Sequence, residues 1–127
     1  LCGAIKNVIA INLGIHYAKN NSKNEMMYIC INMLNELKLL MQKLNINSDI
    51  MLSPAGIGDI MLTCIDSKSR NFNFGMKIGE GKYVTELIEH NTVEGYFAAK
   101  SIYMLMKKVK IEMPEFSKLY NFLYKDQ

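Results

Sequence analysis

Residues 2–15, CGAIKNVIAINLGI, constrain this chain more than any other stretch. Apart from Lys6, Asn7 and Asn12, every side chain there is apolar or absent. At the helical period the apolar positions leave no solvent face. A helix over 2–18 therefore belongs in the middle of the protein, with other elements wrapped around it. A lysine near the start of such a helix is expensive to bury unless it is paired, so Lys6 needs a partner or a task.

The rest of the chain is patterned to supply the wrapping. Asn20-Asn21 break the first helix. Ser22-Lys23-Asn24-Glu25 then has the S-x-x-E form of a capping box, which opens a long helix to about Leu44. On that helix Asn32, Asn35, Glu36 and Lys43 fall on one stripe, read as its solvent side. A polar turn over Asn45–Ser48 precedes a short helix near Asp49–Leu52. Pro54, Gly56 and Gly58 mark a tight connection into a helix over 59–65, with Asp59 as a candidate N-cap. After the loop Asp66-Ser67-Lys68-Ser69, Ser69 is the expected N-cap of a helix through Ile78, ended by Gly79-Glu80-Gly81. Helices near 83–90, 93–109 and 115–124 follow. Alternating polar and apolar runs rich in β-branched residues are missing. The expected fold class is all-α, one domain over 1–127 with seven or eight helices.

With 127 residues, half of them apolar, the chain can bury a core without disulfide staples. A net charge of +3 is too mild and too dispersed to imply nucleic acid as a partner. Lys107, Lys108 and Lys110 sit at an expected helix C-terminus, where the dipole favours them. Cys2, Cys30 and Cys64 form no C-x-x-C, and only His16 and His90 could assist them. Free thiols in a reducing cytoplasm are expected, with no metal. The histidines read as surface residues. The chain has neither a membrane span nor the features of a signal peptide. It opens on Leu1 and enters an apolar helix at once, so a preceding domain is expected.

Four groups could carry chemistry. Lys6 is either an amine snorkelling from an exposed first turn or a proton donor held against Ile5, Val8 and Ile9, with Asn7 beside it to orient a hydroxyl or carbonyl. In PAGIGDIMLTC (54–64), Asp59 and Thr63 are four residues apart on one helix face, and Asp59 could pair with an inward amine. Gly56-Ile57-Gly58 lacks a third glycine and a preceding strand, which excludes a dinucleotide fingerprint. In SRNFNFG (69–75), Arg70 and Asn71 at a helix N-terminus could clamp a phosphate or carboxylate. Glu94 reads most simply as the glutamate of an N-x-x-E capping box over Asn91–Glu94. A proton donor, a carboxylate and an anion site together suit a small phosphorylated carbonyl compound.

CGAIKNVIAI, PAGIGDIMLTC, SRNFNFG, GEGK, VEGYFAAKSIY and IEMPEFSKLY occur in order. Across nearly the whole chain they resemble the C-terminal substrate domain of NAD(P)-dependent glycerol-3-phosphate dehydrogenase, in its bacterial-type branch. The resemblance implies a multi-helix domain of 6-phosphogluconate-dehydrogenase-like architecture, whose N-terminal Rossmann domain is absent from this chain. It implies interconversion of dihydroxyacetone phosphate and sn-glycerol 3-phosphate, a small three-carbon substrate, with NAD or NADP bound mainly by that absent domain. Lys6 then matches the catalytic general acid and base, and Asn7 a substrate contact. Asp59 and Thr63 match positions that hold the lysine and the substrate. Arg70 and Asn71 match a pair near substrate phosphate and cofactor, and Glu94 a position near the cofactor. A cytoplasmic homodimer is also implied.

The chain departs from the family pattern in lacking a further active-site lysine, in Tyr96 and Phe97, and in its asparagine-rich stretch Asn20–Glu25. Two rival readings remain: a non-catalytic helical dimerisation or regulatory module, and a related reductase acting on a carboxylate.

Overall fold

Helix α1 (Cys2–Asn20) runs through the centre of the molecule, as its lack of a polar face requires. Every residue from Val8 to Ile15 is buried, including Asn12, whose amide donates to Met33 Sδ at 3.3 Å. The computed structural model describes residues 2–66, 68–90 and 93–125, with the side chains of residues 2 and 90 outside that description. Among the described residues there are seven helices and no strand: after α1 come α2 (Lys23–Lys43), α3 (Pro54–Cys64), α4 (Arg70–Gly79), α5 (Val84–His90), α6 (Glu94–Val109) and α7 (Pro114–Tyr124). The all-α expectation holds.

Helices α2, α3, α4 and α6 all pack on α1, and α7 closes over α2 and α6. The closest crossing is α1 on α4, and glycine makes it possible. A Cβ on Gly75 would strike the carbonyl oxygen of Ile11, and one on Gly14 that of Phe72. The two backbones therefore touch where side chains would ordinarily hold them apart. Tyr96 joins an aromatic cluster, while Phe97 meets it edge-on at 5.2 Å and is itself exposed. Tyr96 stacks on Tyr124 at 4.4 Å, and the Tyr124 hydroxyl donates to the Tyr96 carbonyl at 2.6 Å.

Helix starts follow local chemistry. Ser22 Oγ accepts from Glu25 N at 3.2 Å, and the Glu25 carboxylate takes the Asn20 amide at 2.8 Å, which ties α1 to α2 across Asn21 at φ 51°. Lys107 and Lys108 lie in the last turn of α6, as the dipole argument requires.

Several expectations are corrected. Residues 49–52 form a turn, held by Asp49 N on Asn47 Oδ1 at 2.8 Å and Leu52 N on the Ser48 carbonyl at 2.9 Å. Helix α3 begins at Pro54, capped by Ser53 Oγ from Gly56 N at 3.1 Å, so Pro54 is a helix start and Asp59 lies in the helix interior. Gly56 sits inside α3 because a Cβ there would meet the carbonyls of Ile50 and Met51. Glu36 is not on a solvent face. It is buried, and its two oxygens accept from Glu115 N at 2.9 Å and Phe116 N at 3.2 Å, capping α7 from 79 residues away. His16 is half-buried, and burial lowers its pKa; the His90 side chain lies outside the described residues.

Candidate active site

The N-terminal end of α1 is where the central helix reaches solvent. Gly3 and Ala4 are exposed there, and Lys6 and Asn7 are half-buried. Lys6 Nζ donates to Asp59 Oδ2 on α3 in the only ion pair between two described residues. Its side chain is 28% exposed against 60% for Asp59. The lysine therefore has the partner its setting demands, on the open side of the helix, and is neither a snorkelling surface amine nor a fully buried one.

Behind the pair, α3 is bolted to α1 by Cys64, whose Sγ donates to the Lys6 carbonyl at 3.3 Å. Burial pushes the Cys64 thiol up to about 12, with Cys30 and Asp59 adding to the shift and Lys6 opposing it. Burial also raises Cys30 to about 11. These free thiols are packing groups and not nucleophiles at neutral pH. Thr63 is exposed on the same face as Asp59, but its hydroxyl donates to the Asp59 carbonyl at 2.7 Å and so engages its own helix.

One residue along α1, the Asn7 amide donates to Glu94 Oε2 at 3.3 Å. Asn71 Oδ1, from α4, accepts from Gly95 N at 3.1 Å. The expected capping box at Asn91–Glu94 falls partly outside the described residues. Asn91 and Thr92 lie outside the described residues, and Glu94 is the first helical residue, behind an N-cap Val93 that makes no side-chain cap bond. Asn71 supplies the missing cap from another helix, satisfying an orphan N–H of the first turn of α6. Gly95 is what lets it: a Cβ there would lie 2.6 Å from Asn71 Oδ1 and 2.8 Å from the Asn7 carbonyl.

Arg70 opens α4 behind its N-cap Ser69, whose Oγ accepts from Phe72 N at 3.3 Å. With Asn7, Asn71 and Glu94 it lines a polar cavity of about 230 Å³. Sequence-distant groups from α1, α3, α4 and α6 therefore meet on one edge: an ammonium–carboxylate pair, and beside it a cavity with a guanidinium, two amides and a carboxylate. Such an edge can hold an anionic small molecule and exchange a proton with it. His16 takes no part, lying roughly 15 Å further along α1 by helical rise. The contributions of Cys64 and Gly95 escape a reading by motif. The one visible signal was a glycine in the first turn of a helix, which marks a close approach.

Known proteins are similar to this chain along its whole length. A family model described as NAD-dependent glycerol-3-phosphate dehydrogenase C-terminus matches residues 1–127. A curated protein of Francisella tularensis subsp. novicida, "Glycerol-3-phosphate dehydrogenase [NAD(P)+]", is 40% identical over 124 residues, covering 96% of this chain and 37% of the relative. One from subsp. holarctica with the same description is 39% identical over the same share. A crystal structure of glycerol-3-phosphate dehydrogenase from Coxiella burnetii superposes with a TM-score of 0.89 at 30% identity, covering 99% of this chain and 39% of that one. The chain thus spans little more than a third of the length of the relatives it matches.

Proposed function

The chain belongs to the family of NAD-dependent glycerol-3-phosphate dehydrogenase C-terminal domains, and from that premise we propose that it is the substrate-binding and catalytic part of an enzyme interconverting dihydroxyacetone phosphate and sn-glycerol 3-phosphate with NAD(P)H. Held mainly by a Rossmann domain of the same polypeptide, the cofactor would supply the hydride for the carbonyl carbon. The described residues fit a partial contact with it: they offer a guanidinium and amides but no strand that could bear a glycine-rich loop. Arg70, Asn71 and Glu94 are the residues of this chain that would meet it.

Lys6 Nζ gives a proton to the substrate carbonyl oxygen. Proton at oxygen and hydride at carbon together convert C=O to CH–OH, and in the reverse direction the neutral amine takes the hydroxyl proton. Asp59 holds the ammonium in place, and Thr63 stands on the same face, one turn further along α3. Arg70 cannot surrender a proton, so its part is to grip the substrate phosphate through its two-pronged donor face. Asn71 is fixed through its oxygen by Gly95 N–H, and its NH₂ is without a partner among the described residues. Asn7, steadied by Glu94, faces the same cavity and orients the substrate. The enzyme acts as a homodimer in the cytoplasm.

The observation that supports this reading best is the adjacency of the Lys6–Asp59 pair to a cavity holding Arg70 and Asn71. Lys6→Met in the complete enzyme tests it. The expected result is a kcat loss of roughly 10²- to 10⁴-fold, with affinity for glycerol 3-phosphate changed only a few-fold. Wild-type turnover would remove Lys6 from the chemistry. Turnover of 2-oxo acids in place of dihydroxyacetone phosphate would favour a carboxylate reductase.

A further inference from the structure

The outward side of α6 is unusual in composition. Phe97, Lys100, Ser101, Met104, Lys107 and Lys108 follow one another at steps of one or three residues, and all six are exposed on one face of the helix. Phe97 is 58% exposed and Met104 60%, two turns apart on that face. A single exposed apolar side chain needs no explanation, but two on one helix face among three lysines form a pattern. The only acid on α6 is Glu94, in its first turn and bonded to Asn7. Glu112, beyond the helix end, borders a cavity with Lys107 but makes no ion pair with it.

Helix α7 extends the pattern. Tyr103 of α6 stacks on Tyr120 of α7 at 3.8 Å, and Tyr120 on Tyr124 at 5.0 Å, all three half-buried. Lysines lie over these rings: Lys107 over Tyr103 at 5.3 Å, Lys100 over Tyr124 at 5.8 Å and Lys125 over Tyr120 at 5.8 Å. None of Lys100, Lys107, Lys108 and Lys125 pairs with a carboxylate among the described residues. Apolar tips beside a row of unneutralised cations and phenol rings suit an occupant that is both anionic and oily. A second copy of this chain would set lysine against lysine across a two-fold contact. A nucleic acid would leave Phe97 and Met104 in water. Anionic lipid satisfies both halves: its phosphates are laterally mobile and need no matching pocket, and its acyl boundary takes apolar side chains. No helix among the described residues is long and apolar enough to cross a bilayer, so the contact is with its surface.

We propose that the outer face of α6, with the adjoining edge of α7, docks on an anionic phospholipid surface. Phe97 and Met104 enter the headgroup boundary, and Lys100, Lys107, Lys108 and Lys125 meet lipid phosphates. The proposal stands apart from the dehydrogenase reading, since none of these residues belongs to the candidate active site.

The test uses the complete enzyme and co-sedimentation with vesicles of mixed phosphatidylglycerol and phosphatidylcholine, against vesicles of phosphatidylcholine alone. Two paired variants are compared, Phe97→Ser with Met104→Ser and Lys100→Gln with Lys108→Gln. Their folding is checked by thermal melting, and their turnover in solution should match wild type. Wild-type protein should sediment with the anionic vesicles only, and less so as salt is raised. Removing the apolar pair should weaken partitioning roughly 10- to 100-fold, and removing the two lysines roughly 25-fold. Absence of wild-type binding to the anionic vesicles overturns the proposal and leaves an acidic protein as the occupant of this face. Equal binding to both kinds of vesicle overturns it too. So does a loss confined to the lysine variant, which would mean adsorption by charge alone. A change of molecular mass by light scattering in the serine variant would assign the face to a contact between copies and equally overturn the proposal.

Discussion

Replacing Asp59 by Asn separates what the Lys6–Asp59 pair does for folding from what it does for turnover. The side chains are 28% and 60% exposed, so water screens the pair. Exposed pairs of this kind contribute about 0.2–1 kcal/mol, and Asn keeps the shape. The melting temperature should therefore move by no more than about 5 °C. Turnover should respond more strongly. A lysine side chain released from its partner recovers up to about 2 kcal/mol of rotamer freedom, which must be lost again when Nζ is brought to the carbonyl. That amounts to roughly a 30-fold fall in kcat. KM for dihydroxyacetone phosphate should change little, because the proposed phosphate grip, Arg70 with Asn71, is left intact. Steady-state kinetics on the complete enzyme, with melting curves on the same preparations, reads both quantities. A wild-type kcat would refute the positioning argument. A loss of kcat accompanied by a melting drop beyond about 10 °C would assign the pair to the scaffold instead.

Two further outcomes concern the scaffold. Gly75→Ala gains about 0.5–1 kcal/mol of helix propensity but forces a methyl group against the Ile11 carbonyl at the α1–α4 crossing. Overpacking of this kind costs about 1–3 kcal/mol, so the net result is a melting temperature lower by about 5 °C. Gly58→Ala has open space around it and should melt no lower than wild type, and equal behaviour of the two variants would refute the backbone-contact argument. Burial raises the Glu36 pKa even though two backbone N–H groups oppose the shift. The folded state then holds that proton more tightly than the unfolded state. Glu36 should thus favour folding most below the ordinary carboxylate pKa, and that contribution is lost as pH rises through the raised folded value. Burial of His16 acts in the opposite direction, its contribution being lost as pH falls from about 6.5 through the lowered folded value. Urea unfolding of wild type and Glu36→Gln between about pH 4 and 7 isolates the carboxylate, and a stability difference that is flat across that window contradicts the assignment.

What could be read from the residues was the chemistry that acts locally or along one helix. The burial of α1 follows from its having no polar face, and the starts of α2 and α4 follow from Ser22 and Ser69. Failures came where a distant element decided the outcome. Glu36 shares a helical stripe with Asn32, Asn35 and Lys43, and nothing within α2 tells it apart from a solvent-facing glutamate. The unsatisfied N–H groups of α7 do. Pro54-Ala55-Gly56 has the composition of a turn, yet proline suits a first helical position and Gly56 is needed for the carbonyls of residues 50 and 51.

The candidate site divides along the same line. Its residue types were legible, because an amine, a carboxylate and an arginine–asparagine pair are each unusual where they stand. Their mutual placement was not, because it is set by how closely the helices approach. Gly14 and Gly75 let α4 lie directly on the backbone of α1, which brings Arg70 and Asn71 to the level of Lys6 and Asn7. Gly95 then lets α6 come in against both, so that Asn71 caps it and Glu94 reaches Asn7. Each of these approaches is a contact with backbone, which cannot rotate away as a side chain can. The spacing between the proposed proton donor and the proposed phosphate grip is therefore a property of the core crossing, and loops have little part in it. A substitution at a crossing glycine, several residues from any substrate atom, should act on turnover as well as on stability.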